Sequence, residues 1–251
     1  MDASGVLDVL QETAEVIAGT LGSLEDWGLA GTRPGQYHTD LAADAAALAV
    51  LERAGLGVLS EESGRHREEA AITVVMDPLD GSTNASRGIP WFATSLCAVD
   101  ADGPLAAVVV NLATHDRFLA TRGGGATVNG QPMRPSDRAE LGRSIIGLSG
   151  YPPRYLGWKQ FRALGAVALD LCAVAAGVLD GYIDCSWDAH GSWDYLGATL
   201  VCHEAGAHVV DAEGRDLVAL DHAARRTPVG AGSAELLDAL VAARATFTRP
   251  A

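Results

Sequence analysis

The sequence predicts an α+β to α/β chain in two lobes, with an antiparallel-rich sheet in the first and an α/β sheet in the second. Three observations carry this expectation. Apolar residues keep helical spacing in the first 54 positions, strand-like runs crowd the middle of the chain, and strands then alternate with helices.

Over residues 4–22, Val6, Leu7, Val9, Leu10, Ala14, Ile17 and Leu21 recur at helical spacing. Residues 28–35, with Gly31, Pro34 and Gly35, read as a loop. LAADAAALAVLERA, residues 41–54, reads as an Ala-rich helix ended by Gly55 and Gly57. GVLSEESG is a short strand entering an acidic turn, and AITVVM, residues 71–76, a buried strand that stops at Asp77-Pro78. WFATSLCAV, LAAVVVNLA and DRFLATR read as further strands, and Asn129-Gly130 as a hairpin turn. Gly123, Gly124 and Gly125 suit either a phosphate loop or a turn. No Lys-Ser or Lys-Thr follows them and no helical pattern opens, which favours the turn.

Pro132, Pro135 and Ser136 mark the lobe boundary, giving residues 1–140 and 141–251. Beyond it SIIGLSG, GYIDCS, AHVVD and TPVGAG read as strands. Residues 165–179, 194–206 and 233–245 read as helices.

Composition narrows the partners. The 251 residues carry 18 Lys plus Arg against 32 Asp plus Glu, a net charge of −14. That argues against binding a nucleic-acid backbone, which needs cations, but not against phosphate held through a metal. Apolar content is sufficient to exclude disorder. No apolar run approaches the roughly 20 residues of a membrane span, and MDASGVLDVLQETAEV lacks the basic start and apolar core of a signal peptide. Cys97, Cys172, Cys185 and Cys202 are widely spread, as expected of reduced core thiols in a cytoplasmic protein.

Acidic residues at strand ends are the chemical signal. Asp77 and Asp80 leave the 71–76 strand on either side of a Pro-Leu step that stiffens the turn. With the Leu79 carbonyl they make an all-oxygen set suited to Mg²⁺ or Mn²⁺, although an ordinary Asp-Pro turn has the same pattern. Glu61-Glu62 ends the preceding strand. If the strands lie side by side, Glu61, Asp77 and Asp80 share a pocket and repel unless a cation is present. Asp194 opens a long apolar helix, as either a ligand or an N-cap, and Trp187-Asp188 duplicates its Trp193-Asp194 context. Gly81 and Ser82 stand where a helix could begin and bind phosphate oxygens.

LSEESG, DPLDGSTN and WDYLGATLVCHEAGAHVVD, in this order, resemble the three signature regions of the inositol monophosphatase superfamily, over about residues 44 to 232. The resemblance implies the layered αβαβα fold of sugar phosphatases, a homodimer and hydrolysis of a small phosphorylated substrate. Inositol monophosphate leads. Fructose 1,6-bisphosphate, histidinol phosphate and bisphosphate nucleotides are alternatives within the family, and a non-catalytic metal- or protein-binding relative is the alternative outside catalysis. It makes Glu61, Asp77, the Leu79 carbonyl, Asp80 and Asp194 metal ligands, with Asp44 at a further metal position and Glu62 completing the acidic pair. Two or three Mg²⁺ are expected, with Mn²⁺ as a substitute and Li⁺ as an inhibitor.

In this scheme Glu61, Asp44 and Ser82 serve an attacking water, and the metal at Asp77, Asp80 and Asp194 stabilises the leaving oxygen. Asp80, Gly81, Ser82, Gly165, Ala166, Asp184 and Asp194 line the substrate. Ser82 stands where the family usually has Thr, Ala166 lacks a hydroxyl found in relatives, and Asp184 replaces a glutamate of the animal-type enzymes. The 184–194 segment is also longer, nearer the dual inositol monophosphatase/fructose bisphosphatase type. Arg154, Lys159 and Arg162 are nearby cations that suit either a second phosphate or plain solvation. His190 is a candidate proton donor to the leaving group. His203, inside a helix, is expected to pack or face solvent.

Overall fold

A computed structural model of the chain describes residues 1–24, 28–29 and 37–249. The loop expected over 28–35 lies, beyond Gly28 and Leu29, outside the described residues. Helices α1 (Ala3–Gly22) and α2 (His38–Arg53) open the chain. Strands β1 (Gly57–Ser60), β2 (Gly64–His66) and β3 (Thr73–Asp80) follow, then the short helix α3 (Ser82–Ser86). Strands β4 (Ala93–Asp100), β5 (Gly103–Asn111), β6 (Arg117–Thr121), β7 (Gly125–Val128) and β8 (Gln131–Pro132) complete an eight-stranded sheet ordered β2-β1-β3-β4-β5-β6-β7-β8. It is antiparallel apart from the β1–β3 pair.

The second sheet uses β9 (Ile145–Ser149), β10 (Gln160–Arg162), β11 (Gly181–Asp184), β12 (His208–Asp211) and β13 (Pro228–Ala231), ordered β10-β9-β11-β13-β12. It is mixed: β9 lies parallel to β10 and β11, whereas β13 is antiparallel to both its neighbours. Helices α4 (Val167–Ala175) and α5 (Ser192–Ala205) lie between the sheets, and α6 (Ala234–Arg244) covers the far face of the second. The layers are therefore αβαβα.

Two-residue periodicity explains the layering. In β3, Val74 and Met76 face α1 and α2, while Val75 faces α4 and α5. In β5, Ala106 and Val108 join the outer core and Ala107 and Val109 the inner one. Both faces of these strands are buried, so they read as continuous apolar runs.

Several expected boundaries move. Strand β3 does not stop at Asp77-Pro78 but runs to Asp80, pairing Asp77 with Ser95 and Asp80 with Ala93 across a register shift. Pro78, with no N–H to donate, falls in that irregular stretch. Helix α2 begins three residues early, where Asp40 accepts the Tyr37 amide at 2.8 Å. Helix α4 is shorter than the expected 165–179 because Gly177 takes φ +69° and turns the chain toward β11. Strands β2 and β10 are additional, three-residue elements at sheet edges.

The glycine run is a turn. Gly123 and Gly125 donate their amides to the Glu204 carboxylate at 2.8 and 2.9 Å, so the chain's own anion fills that loop. Asn129 and Gly130 join β7 to β8 with φ of +51° and +76°, the tight-hairpin geometry. All four cysteines are free and buried. Among the described residues no helix is long and apolar enough to cross a membrane.

Candidate metal centre and phosphate site

Glu61, Asp77 and Asp194 converge, each offering a carboxylate oxygen within 4.8 Å of the other two. The fold explains the convergence. Parallel pairing of β1 with β3 sets Ser60 opposite Met76, and the Glu61 amide extends the ladder to the Met76 carbonyl at 3.1 Å. Glu61 and Asp77 therefore leave neighbouring strands side by side. Asp194 comes from the first turn of α5, two residues further in than expected, and its Oδ2 accepts the Gly191 amide at 2.9 Å. It is a first-turn acid that also braces the helix start. The duplicate Asp188 pairs with Arg215 and Arg249 instead.

Burial and the neighbouring carboxylates suppress ionisation at Asp77 and Asp80. Burial, then the charges of Glu61, Asp80 and Asp194, pushes Asp77 well above the usual carboxylate range. Asp80 is raised to about 7, first by burial and then by Asp194. The Ala168 amide donates to Asp80 Oδ2 at 2.8 Å but only partly offsets this. Leu79 buries its side chain in the outer core, and its amide donates to Asp77 Oδ1 at 2.9 Å. Hard, crowded, partly buried oxygens of one sign fit a small divalent cation, whose charge would reverse the penalty.

Asp44 and Asp80 stand beside this trio rather than within it. Asp44 is buried on α2 and accepts the Ser60 hydroxyl. The Ser60 oxygen in turn accepts the Glu62 amide at 3.1 Å, so Asp44 is tied to the acidic turn through Ser60. Within LSEESG no charge or spacing marks that serine.

The expected phosphate and substrate segments are neighbours. Gly81 takes φ +84°, and a Cβ there would lie 3.1 Å from the Trp91 carbonyl, 3.2 Å from Ala166 Cβ and 3.3 Å from the Gly165 carbonyl. Asn84 donates to the carbonyls of Trp91 and Leu164 at 2.8 and 2.7 Å, stitching DPLDGSTN to the 164–166 segment. Ser82 starts α3, a helix of only five residues. Gly81→Ala is expected to cost about 1–3 kcal/mol, from left-handed strain plus backbone crowding. A fall in urea midpoint at unchanged slope checks it, and an unchanged midpoint contradicts it.

Asp184 is placed differently from an open substrate contact. Its side chain is fully buried, with Oδ1 accepting the Ser186 amide at 2.8 Å and Oδ2 lying 3.5 Å from His190 Nε2. His190 Nδ1 is 3.3 Å from Asp194 Oδ2. Burial opposes the imidazolium, but hydrogen bonds and charge from Asp184 and Asp194 outweigh it and raise the pKa to about 10. His203 lies exposed toward the end of α5, with Nε2 3.4 Å from the Val209 carbonyl.

Two neighbours, His222 and Asp170, carry no motif. His222 Nε2 reaches the Glu61 carbonyl at 3.2 Å and packs on Trp193 at 4.8 Å. Asp170 is buried in α4 and accepts the Trp91 indole N–H at 2.9 Å; burial pushes its pKa well up. A charged residue inside the apolar run ALDLC was the one available signal for it. Arg154, Lys159 and Arg162 are exposed and line a groove of about 680 Å³ with Tyr151, Trp158 and Phe161.

Known proteins resemble this chain in sequence and fold. A model of the inositol monophosphatase family matches residues 37–247. A fructose-1,6-bisphosphatase from Pyrococcus furiosus is 30% identical over 243 residues, 94% of each chain. An inositol-1-monophosphatase from Mesorhizobium japonicum is 32% identical over 238 residues, 85% of this chain and 88% of the relative. The crystal structure of extragenic suppressor protein suhB from Bartonella henselae matches with a TM-score of 0.83 at 28% identity, covering 97% of this chain and all of that one. A family match over most of the chain, on a fold that gathers the signature acids, leads to one conclusion: the chain belongs to the inositol monophosphatase family.

Proposed function

We propose that this chain is a Mg²⁺-dependent phosphatase of small polyol or sugar phosphate monoesters, with inositol monophosphate foremost. The enzyme class, a metal-dependent phosphoric monoester hydrolase, follows from the family; the metal identity and substrate are our reading. The observation that carries it is the convergence of Glu61, Asp77 and Asp194, with the pKa values of Asp77 and Asp80 raised. These residues, with Asp80 and the Leu79 carbonyl, would hold Mg²⁺, and Mn²⁺ suits the same donors. When bound, such ions polarise the phosphoryl group and make water nucleophilic near neutral pH. Asp44 and Ser82 would orient that water, and Gly81, Ser82, Gly165 and Ala166 would border the phosphate. The division at residue 140 would set Asp44, Glu61, Asp77 and Asp80 in one lobe and Asp194 in the other. Buried free thiols support a cytoplasmic setting, and the family resemblance supports a homodimer.

A bisphosphate is the second reading. Arg154, Lys159 and Arg162 form no ion pair among the described residues, and they share one groove in a chain of net charge −14. The Pyrococcus relative is named for such a substrate. The test is phosphate release with Mg²⁺ from inositol 1-phosphate, fructose 1,6-bisphosphate, histidinol phosphate and phosphoadenosine phosphate, with Asp80→Asn as control. Turnover of inositol 1-phosphate, lost in the control, supports the first reading. Preference for the bisphosphate, with Arg162→Ala raising KM for it alone, supports the second. Release that survives Asp80→Asn contradicts both.

A further inference from the structure

We propose that His190 and Asp184 form a positioning pair for Asp194, fixing which carboxylate oxygen faces Glu61 and Asp77. The inference rests on the metal-centre reading and gives Asp184 a role other than substrate contact.

Asp194 is anchored through one oxygen. Its Oδ2 accepts the Gly191 amide at 2.9 Å and lies 3.3 Å from His190 Nδ1. Among the described residues Oδ1 has no hydrogen bond of its own, so it is the oxygen left for the cluster. A carboxylate held this way loses rotation about Cβ–Cγ and presents Oδ1 in one direction.

His190 is itself fixed at three points. Its Nε2 lies 3.5 Å from Asp184 Oδ2 and 3.3 Å from Ser149 Oγ, and its carbonyl accepts the Arg226 amide at 2.8 Å. Asp184 Oδ2 is buried and accepts no hydrogen bond, and the imidazole 3.5 Å away is the charge partner that faces it. Behind Asp184, buried Arg244 donates to the carbonyls of Asp184 and Ser186 at 2.8 and 2.5 Å.

The long 184–194 segment explains how His190 is turned inward. Trp187 stacks on the Arg244 guanidinium, 4.0 Å away, and Asp188 pairs with Arg215 at 3.0 Å. With those two residues held by arginines, His190 reaches between Asp184 and Asp194. A fully buried carboxylate engaged from both sides does not offer itself to substrate hydroxyls.

The test measures Mn²⁺ affinity by equilibrium dialysis together with steady-state kinetics. His190→Ala is expected to weaken Mn²⁺ binding about 10–100-fold, the usual effect of losing a residue that orients a ligand, and to lower kcat with little change in KM. His190→Asn places an amide N–H near the site of Nδ1 and should restore most of the affinity. His190→Gln places it near Nε2 and should restore less. Asp184→Asn should lower kcat equally for two substrates at unchanged KM. Unchanged Mn²⁺ affinity in His190→Ala, equal behaviour of Asn and Gln, or an Asp184→Asn effect confined to the KM of one substrate would overturn the proposal. A lower metal-free Tm with full Mn²⁺ affinity also overturns it, since that marks a purely structural role. Wild-type protein that binds no Mn²⁺ would overturn the metal-centre reading itself, and this inference with it.

Discussion

Asp77→Asn is expected to cut turnover by at least about 10³-fold while raising the Tm of the metal-free protein. The two effects have one cause. Asp77 is 3% exposed and its negative charge is opposed by burial, Glu61, Asp80 and Asp194. An amide of the same shape removes that repulsion, so the empty fold gains stability. It also removes a central anionic donor, and metal-ion stabilisation is worth several kcal/mol of barrier at about 1.4 kcal/mol per decade of rate. Phosphate release and thermal melting of one preparation check both halves. Lost activity with a lower metal-free Tm would mean that Asp77 is a structural residue.

Removing divalent cations is expected to abolish activity and to expose a pH-dependent loss of stability that Mg²⁺ reverses. The folded pKa of Asp80 is raised to about 7 from an ordinary value near 3.8. The folded state therefore holds a proton more tightly than the unfolded state, and its stability is fullest below about pH 4. Stability falls as pH climbs from 4 through 7, by on the order of a few kcal/mol. Asp77, shifted in the same direction, adds to the slope. His190 acts in another window: with its pKa near 10, its contribution is complete below about 6.5 and lost toward 10. On the proposed reading Mg²⁺ binds the ionised carboxylates, so the Tm gain on adding it should be larger at pH 8 than at pH 5. Melting curves with and without Mg²⁺ at both values check this. An equal gain at the two pH values would contradict it.

Much of this was readable because the relevant patterns are local. Val74, Val75 and Met76 announce a strand buried on both faces, and Glu61 and Asp77 follow from adjacent strand ends. The acids stand out because charge at the end of an apolar run has few structural uses. Elements set by tertiary packing were less visible. Strand β10 is three exposed residues that exist as a strand because β9 offers an edge. Ser60, His222 and Asp170 reach the site from about 16, 160 and 90 residues away in sequence from their partners, with no periodicity to mark them. Asp184 was placed by resemblance at the substrate. Its burial depends on Arg244 and His190, which lie 60 residues downstream and six residues on. The expected strand stop at Asp77-Pro78 fails because the irregular pairing of β3 with β4 accommodates the proline, which has no N–H to donate.

The most direct test of the central claim is equilibrium dialysis of Mn²⁺, with Mg²⁺ as competitor, against wild-type protein and Glu61→Gln. Saturable Mn²⁺ binding is expected, displaced by Mg²⁺ and weakened at least tenfold by Glu61→Gln without unfolding the chain. Absence of binding, or binding that Glu61→Gln leaves unchanged, would contradict the assignment of these carboxylates as the metal centre.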